Sequence, residues 1–316
     1  MAGRLATLGN QSEATEAVRR ALEGKTTDWR SRIWEAFLVI SLVISFAFLI
    51  WLLVSVFIES VPVWQERGLM DFISRPLASN PQKAGISQGL FGSFVIMVVV
   101  ALLALPAGIA AAIYLEEYAP DNAVSRTLNT VIRNLAGVPA VVYGILGLSF
   151  FVLAMAGVTG GRTAISGGLT LAVLVLPITV IVTAEALRAV PASIREAGFG
   201  VGATRWEVIR SHVLPYAAPG ILTGTVLSLA RALGEAAPLI LVGAVTNRLG
   251  SDPNILNVSS LQERFTSMPS VITSWAGMPQ EGFRANTAAA IVVLLVIVLI
   301  ANIFAVVLRN KYEKKR

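Results

Sequence analysis

The sequence predicts an all-α, polytopic membrane protein with six transmembrane helices, on the basis of its composition, its apolar runs and its charge pattern. Of its 316 residues, 55% are hydrophobic and only 14% are charged, and the mean hydropathy is +0.72. A soluble domain of this size carries about a quarter charged residues. The charges cluster between long neutral runs, which is typical of chains that cross a membrane several times.

Six apolar runs are long enough to be spans. The first, Ala36–Ile58, has 23 residues without a charge, and at about 1.5 Å per residue it can cross the roughly 30 Å of hydrocarbon. Only helices and closed barrels satisfy their backbone hydrogen bonds in lipid, so unbroken runs of this length predict helices. The other five are expected at about Leu90–Leu115, Leu135–Ala154, Gly168–Ala186, Ala218–Ala244 and Asn286–Leu308.

The lysines and arginines predict the side of the membrane on which each connection lies. If the N-terminus is cytoplasmic, the segments on that side carry 17 of the 25 basic residues and those on the other side carry 7. Both termini are therefore expected in the cytoplasm. The predicted organisation is a cytoplasmic tail (1–35), a first transmembrane helix (36–60), a five-helix core (85–308) and a basic tail (309–316).

Several kinds of site are excluded by the residues present. The chain has no cysteine and one histidine, His212, which excludes thiol nucleophiles, thiolate metal sites and multi-histidine metal centres. Gly24-Lys25-Thr26 is not a phosphate-binding loop, because Arg19 stands where that motif needs a glycine. We therefore expect no catalytic residue, no metal and no cofactor bound by this chain. The net charge of +6 is explained by basic membrane flanks rather than by nucleic acid.

The connection between the fourth and fifth spans, residues 187–215, is predicted to form two short helices joined at a glycine elbow. Ser193–Glu196 and Thr204–Glu207 each match S/T-x-x-E, the capping box that begins a helix. The three glycines between them permit a sharp turn, and Pro215 is expected to end the second helix.

The second of these helices is predicted to have an apolar side formed by Trp206, Ile209 and Val213. An amphipathic helix of this kind can rest on lipid headgroups. Two capping boxes and a glycine hinge are more than a membrane-surface helix requires, so docking onto another protein is favoured and contact with lipid stays the alternative.

The same connection resembles the EAA loop of ABC-importer permeases, whose pattern is E-A-A-x3-G-x9-I-x-L-P. The register matches throughout, with Gly198 in place of the second alanine and His212 in place of the aliphatic residue. The resemblance implies a type I ABC importer permease fold, in which this loop is the coupling helix that seats in a cytoplasmic ATPase. The residues it assigns to ATPase coupling are Glu196, Ala197, Gly198, Gly202, Ala203, Leu214 and Pro215.

The fifth span carries two charges, Arg231 and Glu235, near its centre. An arginine there costs about 2.5–3.5 kcal/mol on insertion scales, so it is expected to face protein or water. The spacing places both residues on one helix face, and Gly224, Ser228 and Pro238 continue that stripe. The residues alone leave two interpretations open: an ion pair that holds helices together, or a site where the guanidinium meets an anionic solute.

Residues 229–239, L-A-R-A-L-G-E-A-A-P-L, resemble the fifth-span signature of PstA-type phosphate permeases, and Phe283–Asn286 also resembles that family. The resemblance covers about residues 85–312. It implies that Arg231 and Glu235 take part in phosphate passage, and we place Ser228 beside them because it lies on the same stripe. It further implies a second permease (PstC-like), two ATPase subunits (PstB-like) that hold ATP and Mg, and an extracytoplasmic phosphate-binding protein (PstS-like), all at the bacterial inner membrane.

Four alternatives stay open. The same machine could carry another oxyanion, molybdate or sulfate, although a carboxylate beside the arginine disfavours anions that carry no hydrogen at neutral pH. The chain could be the paralogous PstC-type subunit, although the Ala-Ala-Pro continuation at 236–238 favours PstA. An ion-coupled secondary transporter would need ionisable residues in several spans, and a membrane enzyme would need clustered acids, histidines or cysteines.

Two further connections carry weaker predictions. The loop 245–284, which includes Phe265 and Trp275, is long enough to carry function, and we expect it to contact the binding protein. The second connection is expected to present a solvated cytoplasmic face of charged side chains. Those side chains are Glu116, Glu117, Arg126 and Arg133.

Overall fold

The computed structural model describes residues 29–244 and 264–313, and the regular structure in those ranges is entirely helical. The predicted all-α fold is therefore confirmed. Most of the predicted N-terminal tail, part of the loop 245–284 and the end of the basic tail lie outside the described residues.

The helices are numbered in chain order. They are α1 (Trp29–Glu66), α2 (Gly68–Ser74), α3 (Ser87–Ile113), α4 (Ala123–Ala136), α5 (Ala140–Gly147), α6 (Ala156–Thr159), α7 (Ala164–Arg188), α8 (Ala192–Gly200), α9 (Arg205–Val208), α10 (Leu214–Gly234), α11 (Ala237–Val242), α12 (Met268–Ala276) and α13 (Glu281–Glu313). π-Helical turns extend α3, α5 and α9, at Tyr114–Tyr118, Leu148–Ala154 and Ile209–Val213. The last of these turns joins α9 to α10 without a break.

Five helical runs within the described ranges are each long and apolar enough to cross a membrane. They are Trp29–Glu66, Ser87–Tyr118, Ala164–Arg188, Arg205–Gly234 and Glu281–Phe304. A sixth span results when α4 and the run Ala140–Ala154 are counted together, and these two meet at an angle of 97°. The described residues therefore hold five spans, or the predicted six if this sharply bent pair is one span.

The bend in the third span corrects the prediction of one continuous helix over 135–154. Leu135 belongs to the last turn of α4, and α5 begins only at Ala140, with Pro139 at its N-cap. The residue before a proline is disfavoured in the α conformation, so Val138 cannot easily continue α4. As a result α4 is a separate amphipathic helix, and none of its residues is fully buried.

The fifth span is also interrupted, where a continuous helix over 218–244 was expected. Glu235 has an extended backbone (φ −81°, ψ 109°), and α11 begins two residues later with Pro238 in its first turn. A proline there replaces an N–H that has no partner within the helix, so the sequence favours a new helix start. Arg231 and Glu235 therefore do not lie on one continuous helix.

Among the described residues, those up to Ser55 belong to one unit and those from Val56 belong to another. Within the second unit, three apolar clusters follow one another along α3. The first packs Leu90 with α2, α12 and α13, the second contains Ile96, Val100 and Ala104, and the third contains Ala112 and side chains of the 187–215 loop. Because α3 runs through all three clusters, it connects the 187–215 loop to the opposite end of the unit.

Glycines bring the neighbouring helices close to α7. A Cβ atom added at Gly168 of α7, at Gly147 of α5 or at Gly224 of α10 would lie 2.6, 2.1 or 2.7 Å from a side chain of the facing helix. Close approach of backbones is how helices associate in lipid, where burial of apolar surface gives no driving force. The core of the bundle is therefore held by close contacts around α7.

Candidate functional site

Residues 187–215 form the predicted helix, elbow and second helix, with the turn at Gly202. This glycine has φ +84°, a conformation that disfavours other residues. Thr204 forms the predicted capping box, because Glu207 N donates to Thr204 Oγ1 at 3.4 Å and Thr204 N donates to Glu207 Oε2 at 2.7 Å. Local hydrogen bonds thus fix the start of α9.

Two predictions about helix ends in this loop are wrong. Ser193 does not form a capping box, because α8 begins at Ala192 behind Pro191 and so already contains the serine. Pro215 does not end the second helix, because it lies in the first turn of α10, directly after the π-helical turn Ile209–Val213. Pro215 has no N–H to donate, and the wider π-helical turn before it accommodates the missing backbone hydrogen bond without ending the helix.

The apolar side of the second helix also differs from the prediction. Ile209 and Val213 are buried, Val213 within the third cluster, but Trp206 is 53% exposed. Phe199 and Val201 are exposed on the same elbow. The elbow therefore presents three large apolar side chains that are about half or more exposed.

Gly198, where the sequence departs from the EAA pattern, lets α8 and α9 touch. A Cβ atom there would lie 2.7 Å from Val208 Cγ2, and the Ala203 N–H donates to the Gly198 carbonyl at 3.2 Å. The glycine therefore tightens the elbow. The other predicted coupling residues are exposed (Glu196, Ala197, Gly202 and Pro215) or half-buried (Ala203 and Leu214).

Arg195 of α8 binds Glu117, in the π-helical turn that ends α3. Its Nη2 lies 2.6 Å from Glu117 Oε1, and the side chains are only 24% and 8% exposed. Arg195 also donates to the carbonyls of Val190 at 2.9 Å and Leu187 at 3.0 Å. The carboxylate is thus buried, the guanidinium is mostly buried, and both are satisfied by hydrogen bonds.

Two more arginines reach the same turn. Arg188 donates through Nε to Glu116 Oε2 at 2.8 Å and through Nη2 to the other carboxylate oxygen. Arg205 of α9 lies over the ring of Tyr118, with 5.6 Å between Cζ and the ring centroid. The prediction that Glu116 and its neighbour Glu117 simply form a solvated face is wrong.

Arg126 and Arg133, from the same prediction, are exposed. Arg126 pairs with Asp121 at 3.0 Å on the open surface of α4. The second connection therefore contains a solvated pair as well as a buried one.

Arg231, at the end of α10, is exposed and makes no close ion pair with the residues that the structure describes. Its side chain is 61% exposed, and its Nε lies 3.6 Å from Glu235 Oε1, beyond hydrogen-bond distance. Among the residues that the structure describes, no hydrogen bond uses this guanidinium. Arg231 can therefore offer its donors to a solute or to another chain.

The predicted stripe from Gly224 to Pro238 does not form one face. Gly224 contacts Val182 of α7, and the buried Ser228 donates its hydroxyl hydrogen to the Gly224 carbonyl at 2.9 Å. Arg231 points away from this contact and is exposed. The structure brings Arg231 and Glu235 together and places Ser228 against α7.

The Phe283–Asn286 motif lies at the end of α3 opposite the 187–215 loop. Phe283 is buried, with its ring centroid 5.6 Å from that of Trp275. Asn286 accepts a hydrogen bond from Arg67, and burial lowers the pKa of that guanidinium. Phe265 is also buried, so these aromatic residues stabilise the fold and are not free to meet a binding protein.

The chain matches a family model described as "Binding-protein-dependent transport system inner membrane component" over residues 104–314. It is 34% identical over 236 residues to the "Probable ABC transporter permease protein YqgI" of Bacillus subtilis (strain 168), which is 72% of this chain and 79% of that protein. It is 33% identical over 245 residues to the "Phosphate transport system permease protein PstA" of Xylella fastidiosa (strain 9a5c), which is 77% of this chain and 81% of that protein.

Among solved structures, the fold is similar to a chain of the bacterial alginate ABC transporter in complex with a pentasaccharide-bound periplasmic protein. The TM-score is 0.61 at 16% identity, with 90% of this chain and 96% of that chain covered. At this identity the likeness concerns the fold alone, and it confirms the helical architecture predicted from the sequence.

Proposed function

The chain belongs to the family of binding-protein-dependent transport system inner membrane components, with a type I ABC importer permease fold, and we propose that it is the permease subunit of an ATP-driven phosphate importer. The observation that carries this proposal is the 33% identity to a PstA phosphate permease across 81% of that protein. The PstA-type role is favoured over the PstC-type role and over the other oxyanions.

The elbow of the 187–215 loop supports coupling to an ATPase. Its exposed apolar side chains Phe199, Val201 and Trp206 can pack into a groove of another protein, and burying such side chains stabilises an interface. Two ATPase subunits (PstB-like) would supply ATP and Mg, and this chain would hydrolyse nothing itself. Closure of the ATPases would then move the elbow and the spans attached to it.

Arg231 and Glu235 support passage of phosphate. An exposed guanidinium within a span can bind two oxygens of an oxyanion and offset its charge in a medium of low dielectric constant. Phosphate carries a hydrogen at neutral pH, and the neighbouring carboxylate can accept it. Sulfate and molybdate carry none and would be repelled by Glu235.

The other subunits of the importer follow from this function. A second permease (PstC-like) would close the pathway that this chain lines on one side, and a PstS-like binding protein would deliver phosphate from outside. The excess of lysine and arginine on one side supports cytoplasmic termini in the bacterial inner membrane.

Reconstitution tests the proposal. The full chain, purified with the subunits that accompany it, is placed in liposomes and labelled-phosphate uptake is measured with ATP inside. We expect uptake that requires both ATP and the binding protein and that excess sulfate or molybdate does not compete away. Uptake by this chain alone without ATP, or uptake abolished by sulfate, would contradict the proposal.

A further inference from the structure

Three arginines spread along the 187–215 loop meet three consecutive residues at the end of α3. Arg188 ends α7, Arg195 lies in α8 and Arg205 begins α9. Their partners are, in the same order, Glu116, Glu117 and Tyr118. The turn that ends α3 therefore contacts every helix of the loop, although it is far from the loop in sequence.

The central contact, between Arg195 and Glu117, is largely shielded from water and fully hydrogen-bonded. Arg195 uses Nε, Nη1 and Nη2 in hydrogen bonds to Glu117 and to two carbonyls, and the carboxylate is almost fully buried. Removing one partner from such a pair leaves a buried charge without compensation. A movement of α8 therefore has to carry the end of α3 with it.

The other end of α3 is attached as closely. Ser93 accepts a hydrogen bond from Met268 N at 2.8 Å, and a Cβ atom on Gly92 would lie 1.9 Å from the Thr266 carbonyl oxygen. This segment, Thr266–Met268, enters α12 on the side away from the 187–215 loop. No side chain separates the two backbones at Gly92.

We propose that the turn Tyr114–Tyr118 is the joint through which the 187–215 loop moves α3, and that Glu117 is its positioning residue. α3 then carries movement of the loop to the Thr266–Met268 segment at its other end. This inference rests on the proposed ATP-driven import, because it assigns the path by which ATPase closure reaches the opposite side of the membrane.

The first test compares transport with ATP consumption in the reconstituted complex. Glu117→Gln should lower phosphate uptake per ATP hydrolysed about tenfold, which is within the range of coupling energies between contacting residues. The exchange Glu117→Arg with Arg195→Glu should recover only the part of this loss that comes from the ion pair, because a carboxylate at 195 cannot donate to the carbonyls of Val190 and Leu187. Asp121→Asn, at the exposed pair with Arg126 on the same connection, is the matched control and should change neither quantity.

The second test needs no transport. The chain has no cysteine, so Leu102→Cys in α3 and Ser193→Cys in α8 can carry the only two spin labels on this chain, assembled with partner subunits that contain no labelled cysteine, and both positions are exposed. With Glu117 intact, the distance between the labels should stay single and narrow whether ATP is present or absent. In Glu117→Gln it should broaden or shift when ATP is added.

The outcomes distinguish failure of the proposed joint from failure of the proposed phosphate transport. Unchanged uptake per ATP and unchanged label distances in Glu117→Gln would overturn the joint. Label distances that behave as expected in a complex that moves no phosphate would sustain the joint and remove the proposed solute. If Glu117→Gln does not assemble, Arg195→Lys keeps the charge and loses the fork of donors, so an intermediate loss supports the joint and no loss overturns it.

Discussion

Two of the arginine–glutamate pairs in the described part of the chain, Arg195–Glu117 and Arg231–Glu235, are used differently. At the joint, Glu117 is buried and Arg195 is mostly buried; the two are 2.6 Å apart and backbone carbonyls support the arginine. At the end of α10, Arg231 and Glu235 are 3.6 Å apart, and the arginine is largely exposed. A pair that is buried and satisfied holds elements together, whereas a loose and exposed pair leaves its donors available for a ligand.

This comparison predicts that the two arginines fail in different ways when they are replaced. Replacing Arg195 should mainly lower the stability of the protein, and replacing Arg231 should mainly lower phosphate transport. The predictions below run from the largest expected effect to the smallest.

Arg195→Ala should lower the free energy of unfolding by about 2–3 kcal/mol, less than a completely buried pair because Arg195 is partly exposed. The physical cause is the Glu117 carboxylate left buried without a partner. Thermal or chemical denaturation of the purified chain in detergent measures it. Arg126→Ala, at an exposed pair, is the control and should stay within about 0.5 kcal/mol. Equal losses in the two variants would remove the distinction between buried and exposed pairs.

Arg231→Gln should lower ATP-driven phosphate uptake about 10- to 100-fold, the loss expected for a charged hydrogen bond to the solute. Its denaturation midpoint should be that of the unchanged protein, because the exposed guanidinium contributes little to folding. Arg231→Lys should lie between the two in uptake, since it keeps the charge but not the planar fork. Normal uptake in Arg231→Gln would remove the passage role and leave the family assignment intact.

Gly198→Val should destabilise the elbow by about 1–2 kcal/mol, because the new side chain would overlap with Val208. Val208→Ala combined with it should recover part of the loss. Denaturation of the single and double variants measures the coupling between the two positions. Additive losses would show that α8 and α9 do not meet at this glycine.

Thr204→Ala should cost about 1 kcal/mol, the usual contribution of an N-cap side chain. The change removes the acceptor for Glu207 N at the start of α9. Hydrogen exchange at the first turn of α9 is the most direct measurement, because faster exchange should be confined to that turn. Thr204→Ser should retain the cap and the slow exchange.

The sequence predicted elements whose causes are local. The capping box Thr204–Glu207 forms because its partners are three residues apart, and the turn at Gly202 forms because glycine tolerates positive φ. The same local pattern at Ser193–Glu196 fails, because Pro191 moves the helix start upstream of the serine. An S/T-x-x-E pattern therefore predicts a helix start only where no proline begins the helix a few residues earlier.

Two of the remaining features, the Arg195–Glu117 pair and the exposure of Arg231, depend on contacts that are distant in sequence, whereas the break after Gly234 has a local cause in Pro238. Arg195 and Glu117 are 78 residues apart, and the only signal was that both connections carry opposite charges on the same predicted side of the membrane. The break after Gly234 was missed because hydropathy is insensitive to a two-residue interruption. Exposure of Arg231 follows from α10 packing through Gly224 and Ser228, which places the arginine on another face.

The glycines around α7 limit how this protein can be engineered for study. Replacing glycine by alanine in a helix is a common way to stabilise a protein, because it reduces the freedom of the unfolded chain. At Gly147, Gly168 and Gly224 that route is closed, since the added methyl would meet a neighbouring side chain at 2.1–2.7 Å. It is open at Gly200, where α8 has nothing within 4 Å and φ is negative. Thermostabilising variants should therefore avoid the glycines that pack against α7.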